Sequence, residues 1–402
     1  MGDPMKKAKR LNYPISKTNQ HIDYVIIFAY IALAIIGLVM IYSGSMVKSS
    51  RSEMTNFNPK FFFDSQLRFV IFGMTIFVII TFFTSSRLFR KPIIPIALIA
   101  GSIFLLAATQ LIGIEVNGEK NWIRLGFINL QTSEFVKIVV IMYLAYVYDR
   151  RLRIKTELIP TDTKHLMPFV LVLVMTLWIG RNDFGTSLII LSIIISMFFY
   201  LNFERKFTFM IFSGIVGIIV LVVGAFIMFD GQFLSSYQLA RIDTFFHPFN
   251  DPYGDGYQLT NSLIAIANGG LIGQGIGNGI LKLGFLPEAQ TDFIFSVIAE
   301  ELGLIGVLIV LGLYATIVIK AFYYSYHTGD LYLRLITFGI GIYITIQCFF
   351  NIGGATKTVP LTGVPLPLLS YGGSSFLSIS IALAVLSVAI KEIRYRKAIN
   401  RD

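Results

Sequence analysis

The chain is dominated by apolar runs long enough to cross a bilayer. Ten stretches qualify as candidates: 22–42, 66–84, 93–112, 133–148, 167–180, 186–202, 208–229, 293–320, 334–351 and 375–391, the fifth being short. About 20 apolar residues span the ~30 Å hydrocarbon layer. Because no water reaches the backbone there, such runs must be helices or parts of a closed barrel, and runs this continuous are helices. The expectation is an all-α polytopic membrane protein with about ten transmembrane helices. Only 14% of the 402 residues are charged and 55% are hydrophobic, which excludes an ordinary soluble domain.

Basic residues are retained on the cytoplasmic side of a membrane. With both termini inside, about two thirds of the 33 Lys and Arg fall on cytoplasmic segments. Both termini are therefore expected to be cytoplasmic, and the net charge of +10 reads as topology, with no nucleic-acid module in view. Residues 1–21 then form a cytoplasmic tail, 22–391 a single transmembrane domain, and 392–402 a second tail. The "KKAKR" and first apolar run read as an uncleaved anchor, and "MGDP" ahead of Met5 as a leader added before the natural start. Cys348, the single cysteine, lies inside a span, so disulfides and thiolate metal sites are not expected.

Outer connections carry the remaining information. The largest, 230–292 between spans seven and eight, holds Asp230, Asp243, Asp251, Asp255, Glu288 and Asp292 against Arg241 and Lys282. Within it, Leu259–Ala267 reads as a short amphipathic helix. Seven glycines between Gly269 and Gly284 read as an irregular loop at the membrane surface, since "GQGIGNG" lacks the strand and lysine of a phosphate loop. The segment 352–374 carries Pro360, Pro365 and Pro367, cannot be one helix, and must dip against other protein. Ser374 or Ser375 is the expected cap of the last span.

Several separated blocks carry a resemblance: "IGLVMIYSGS", "GEKNWIRLGFINLQTSEFVKI", "NDFGTSLI", "HPFNDPYGDGYQLTNSLIAIANGG", "LPEAQTDFIFSVIAEELG" and "PLTGVPLPLLSYGGSS". In this order, over nearly the whole chain, they resemble the SEDS family (shape, elongation, division and sporulation) of polytopic peptidoglycan polymerases. The wording "GDGYQL" and "LPEA" is closer to its division branch than to its elongation branch. The resemblance implies an inverting glycosyltransferase that extends glycan strands from lipid II at the outer face of a bacterial cytoplasmic membrane. It further implies a class B penicillin-binding protein as transpeptidase partner, contact with other cell-division proteins and membrane lipids, and location at the septum. Three positions depart from the family pattern: Asn121 after Lys120, Arg181-Asn182 before Asp183, and Gln290 where His is frequent.

Polymerising lipid II requires a sugar 4-hydroxyl to attack an anomeric carbon as undecaprenyl pyrophosphate departs, hence a base and nearby positive charge. The family's "TDF" motif assigns the base to Asp292. An unperturbed aspartate, at ~3.9, is a weak base near neutrality. Burial beside Phe293, with Glu288 on the same helical face at i, i+4, would raise its pKa. At the mouth of an apolar helix Asp292 is equally suited to capping, and Glu288 to facing water. Lys120, Arg124, Arg241 and Lys357 are the outer cations suited to pyrophosphate, and Trp122 either stacks on sugar or anchors at the lipid interface. Asp183 either caps the sixth span or lines a polar cavity. Glu134 and Lys137, three apart inside a span, read as an internal pair, with Glu300 or Glu301, two turns into the eighth span, as alternative partners for the lysine. Mg²⁺ or another divalent cation bridging outer carboxylates and pyrophosphate is a candidate cofactor that no ligand spacing specifies.

Two other readings fit a polytopic chain. A lipid II flippase predicts internal repeats and charge at the midplane; no repeat is visible and the carboxylates gather outside. A noncatalytic division scaffold leaves Asp292 with only a capping role.

Overall fold

A computed structural model of the protein describes residues 14–116, 119–125, 128–154, 166–201, 213, 244–249 and 256–399. The expected seventh span at 208–229, apart from Ser213, and Arg241 lie outside the described residues.

Among the described residues, six helices are long and apolar enough to cross a membrane: α2 (Tyr24–Arg51), α3 (Phe61–Phe83), α5 (Ile93–Ile112), α10 (Ile294–Tyr326), α11 (Leu331–Ala355) and α12 (Gly373–Ile399). They coincide with expected spans one to three and eight to ten. Between them, α6 (Thr132–Ile154) carries Glu134 and Lys137 in its apolar run, while α7 (Met167–Gly180) and α8 (Phe184–Tyr200) are shorter apolar helices. Short α1 (Ile15–Asn19) and α4 (Ser86–Phe89) flank the first two spans, and α9 (Tyr257–Gly269) is the amphipathic helix expected near 259–267. An aspartate caps each of three helices: Asp23 on α2, Asp183 on α8 and Asp330 on α11, each accepting from a backbone N–H two or three residues on.

The fold is not helical throughout. The connection between the expected third and fourth spans forms an antiparallel sheet in the order β1 (Ile114–Val116), β2 (Glu119–Leu125), β3 (Ile128–Gln131), with Trp122 facing Gln131 and Arg124 facing Asn129. Alternation in "KNWIRL" lets the sheet bury Asn121 and Ile123 while Arg124 is exposed.

Helix α12 is the axis of the bundle: 89% of its apolar window is buried, against 28% for α3 and α5. It packs on α3, α6 and α11, with Tyr30 of α2 bonding Ser380 (2.8 Å) and stacking on Phe77 of α3. Helix α2 approaches the 358–372 segment so closely that a Cβ on Gly37 would fall 2.4 Å from the Leu368 carbonyl oxygen.

The two ends of the bundle differ. At the end shared by the termini, Lys320 meets Asp23 (2.7 Å), and Arg90 and Arg396 both bind Asp330 (2.8 Å each), Arg396 also binding Glu392. Lys391 donates to Asn19 across the two termini (2.8 Å). Burial pushes the Asp330 carboxyl up, but Arg90 and Arg396 outweigh it and hold the carboxyl below its ordinary value. The opposite end carries the sheet, the 257–293 segment and the 358–372 segment.

Helix α10 is broken. Gly303 has φ 65° and ψ −168°, a conformation that costs a residue with a Cβ. Residues before the break, Ile294 to Glu301, are all buried, whereas Leu304, Ile305, Leu308 and Ile309 are exposed. The lipid-facing span therefore starts at Leu304. Glu300 and Glu301, expected two turns inside the span, instead end a short buried helix that precedes it.

Candidate active site

Asp292 lies at the end opposite the termini, in a run of turns (residues 287–293) that leads into α10. It is half-buried, next to Phe293, which is wholly buried. The capping position of α10 is Phe293, and no side-chain bond caps it there, so Asp292 does not occupy the capping position expected of it. Nor do Glu288 and Asp292 share a helical face, because the chain between them is turn. Glu288 instead accepts from Thr291 Oγ1 (2.9 Å) and pairs with Lys48 at the end of α2 (3.2 Å). Both partners are over a third exposed, so this pair adds little stability.

The backbone around Asp292 is fastened on three sides. Asn351 Nδ2 donates to the carbonyls of Asp292 (2.9 Å) and Val364 (2.8 Å). Ser370 Oγ donates to Thr291 O (2.6 Å), and Tyr371 N donates to Gln290 O (2.8 Å). The proline-rich segment thus dips against the 290–292 turn as expected, and Gln290, where the family often has His, is buried with its Oε1 lacking a hydrogen bond.

Beneath this turn lies a buried charge network. Lys137 Nζ donates to Glu134 Oε1 (2.6 Å) and Gln347 Oε1 (2.9 Å), and sits 5.1 Å from the centre of the Tyr343 ring. Gln347 Nε2 donates on to Pro365 O (2.9 Å), one residue from the carbonyl that Asn351 holds. Full burial of both charges makes their mutual contact a requirement of the fold, since either alone would be a desolvated ion.

Glu300 and Glu301 do not reach Lys137. Glu301 binds Lys282 (2.5 Å) and Ser43 Oγ (2.7 Å) and accepts from Gly277 N (3.0 Å); Glu300 accepts from Ile280 N (3.0 Å) and Leu281 N (3.3 Å). Lys282, counted in the sequence among outer charges, is buried in this pair. Within and just after "GQGIGNG", the N–H groups of Gly277, Ile280 and Leu281 thus hold carboxylates of the same chain.

The remaining candidates separate into two places. On the sheet side, Asp183 is buried, caps α8 through Thr186 N (2.9 Å) and accepts from Gln131 Nε2 and Ser133 Oγ (3.0 Å each). Asn121 Nδ2 donates to Asn182 O (3.1 Å), and Lys120 Nζ to Gln110 O (2.7 Å). Trp122 is half-buried on β2, and the exposed Arg124 follows it. Ser374 joins this side by accepting from Gln131 N (2.9 Å) and donating to Asn129 O (3.1 Å). Since α12 begins at Gly373, neither Ser374 nor Ser375 is its cap. On the other side Lys357, half-buried and with φ 59°, follows α11. Among the described residues no three of His, Cys, Asp and Glu converge as a metal-ligand set.

Sequence reasoning missed Lys48, Lys282, Gln347 and Asn351. The last two are amides four apart in an apolar helix, a spacing that puts them on one face and was available as a signal.

A family described as "Cell cycle protein", named for FtsW, RodA and SpoVE, matches residues 23–395. The chain is 36% identical to "Probable peptidoglycan glycosyltransferase FtsW" of Bacillus subtilis (strain 168), covering 95% of this chain and 93% of that one. It is 35% identical to the protein of the same name from Dichelobacter nodosus (strain VCS1703A), covering 98% and 94%. Among solved structures it is similar to a chain of a peptidoglycan synthase complex described as coordinating polymerization and crosslinking, with 26% identity, TM-score 0.74, and 93% and 99% coverage. Thermus thermophilus RodA shares the fold at TM-score 0.64 and 23% identity, covering 92% and 97%. With its helices, its outer motifs and these relatives in agreement, the chain belongs to the FtsW, RodA and SpoVE family of cell-cycle proteins.

Proposed function

We propose that the chain is a peptidoglycan glycosyltransferase of the FtsW kind that polymerises lipid II at the outer face of the bacterial cytoplasmic membrane, with Asp292 as general base. The observation that carries the base is the contrast at the start of α10: a half-buried carboxylate immediately before a fully buried run, on a backbone tied to Asn351, Ser370 and Tyr371. A base must be accessible to the hydroxyl it deprotonates and held in one place.

In the reaction, Asp292 takes the proton of the acceptor 4-hydroxyl. That oxygen bonds to the anomeric carbon of the donor as the bond to undecaprenyl pyrophosphate breaks, inverting the configuration. Lys120, Arg124, Arg241 and Lys357 are the cations available to the leaving pyrophosphate, and Trp122 to a sugar face. A class B penicillin-binding protein is the partner that cross-links the product at the septum, in keeping with the synthase complex this fold resembles.

The break at Gly303 is also what a flippase would display, because transporters place substrates at interrupted helices. Here the gap is filled by the chain's own 270–280 segment, which favours the polymerase. The test supplies labelled lipid II in detergent to purified protein, with and without the penicillin-binding protein, and to Asp292→Asn. Wild-type polymer with a folded, partner-binding and inactive variant supports the assignment; polymer from Asp292→Asn refutes the base. Vesicle translocation without polymer supports the flippase.

A further inference from the structure

The segment Tyr257–Phe285 contains one ionisable side chain of high charge, Lys282, and that one is buried against Glu301. Within it, the apolar side chains of residues 270–280 point outward: Leu271, Ile272, Ile276 and Ile280 are exposed, Ile272 by 79%. Water-facing loops have the opposite pattern.

Its backbone is also supplied from within. Gly273 N donates to Gly269 O, Gln274 N to Glu300 O, and Gly275 N to Glu301 O. Gly277 N donates to the Glu301 carboxylate, and Ile280 N and Leu281 N to that of Glu300. A loop in water has no use for two buried carboxylates as acceptors, but irregular backbone at membrane depth must find every partner in the protein.

Depth can be reckoned along α10. From Lys320, paired with Asp23 at the terminal end, to Leu304 is 16 residues, or ~24 Å of helix. The hydrocarbon layer is ~30 Å thick, and tilt enlarges the shortfall. The apolar layer must therefore reach past Leu304, to the carbonyls of Gly270 and Leu271 that accept from Leu304 N and Ile305 N.

We propose that residues 270–280 form a re-entrant element submerged in bilayer hydrocarbon on the Asp292 side, with Glu300 and Glu301 acting as internal hydrogen-bond acceptors in place of water. The exposed Leu271, Ile272 and Ile276 then continue the lipid-facing strip of Leu304, Ile305, Leu308 and Ile309. This placement rests on the membrane-spanning fold and on no catalytic assignment, so its test is independent of activity.

The test uses full-length protein with Cys348→Ala, reconstituted in phosphatidylethanolamine and phosphatidylglycerol vesicles, carrying a nitroxide at Ile272→Cys or Ile276→Cys. Leu308→Cys is the lipid-facing reference, and Met54→Cys, at 92% exposure beyond the end of α2, the aqueous one. Collision with dissolved oxygen and with a water-soluble nickel chelate is read by spin relaxation. The expected oxygen-to-nickel ratio at 272 and 276 matches that at 308 and exceeds that at 54 several-fold. Equal or dominant nickel collision at both sites overturns the proposal. Low collision with both reagents, meaning that protein such as the 208–229 run covers the strip, also overturns it.

Discussion

Asn351 holds Asp292 by its backbone: the amide nitrogen of a residue in α11 donates to the Asp292 carbonyl at 2.9 Å, leaving the carboxylate out of the contact. The same nitrogen binds Val364 O, so one side chain sets the spacing between the 290–292 turn and the proline-rich segment. Asn351→Leu frees both carbonyls. Displacements near 1 Å in a reacting group cost about 100-fold, so kcat for lipid II polymerisation should fall by about 10- to 100-fold with little change in KM. An unchanged kcat in steady-state assays would show that Asp292 is positioned by other contacts.

Glu134 and Lys137 make a buried pair whose members are costly apart. Lys137→Met leaves a desolvated carboxylate and should destabilise the fold by about 3–5 kcal/mol; Glu134→Gln leaves the ammonium and should do the same. Glu134→Gln with Lys137→Met removes both charges and should recover most of the loss. Reversible unfolding in detergent, analysed as a double-mutant cycle, reads the coupling directly.

Asp183→Ala should loosen one corner and spare the rest. It removes a helix cap, worth about 1 kcal/mol, and leaves Gln131 and Ser133 without their acceptor. Hydrogen exchange is expected to rise in β3 and the first turn of α8, with the ion-pair cluster at the termini unchanged. Uniform exchange across the molecule would mean that the sheet is not an independent cap.

The cluster around Asp330 gives a pH dependence of definite sign. Its carboxyl is held below the ordinary value when folded, so it favours the folded state at any pH above the unfolded carboxylate range, near 4. That contribution is lost as pH falls through the folded value. Melting temperature should therefore drop on acidification below pH ~4, and Asp330→Asn should be less stable at neutral pH but show a smaller acid-induced drop.

What the chain reveals to a reader depends on how local each interaction is. The Glu134–Lys137 contact spans three residues and the Asp183 cap spans three, so both were legible. The partner of Glu301 is Lys282, nineteen residues back across the turns of 284–293, and no periodicity predicts that return. The sheet was hidden because strands of three to seven residues alternate too briefly to stand out between helical runs. Gly303 sits between Leu302 and Leu304 in a run that reads as continuous helix, where a glycine is ordinarily tolerated; its positive φ and the carbonyls of Gly270 and Leu271, bonded to Leu304 N and Ile305 N, disclose the interruption. The capping role anticipated for Asp292 failed because the turns continue through Phe293.

The contact at Gly37 bears on how this molecule can change over generations. There α2 touches the main chain at Leu368 with only a hydrogen atom between, and main chain has no alternative rotamers with which to accommodate a newcomer. An added methyl at that point would have to move the 366–370 stretch, and with it Ser370 and its grip on Thr291. A substitution at position 37 is therefore felt at Asp292, more than two hundred and fifty residues away in sequence, where nothing local marks the connection.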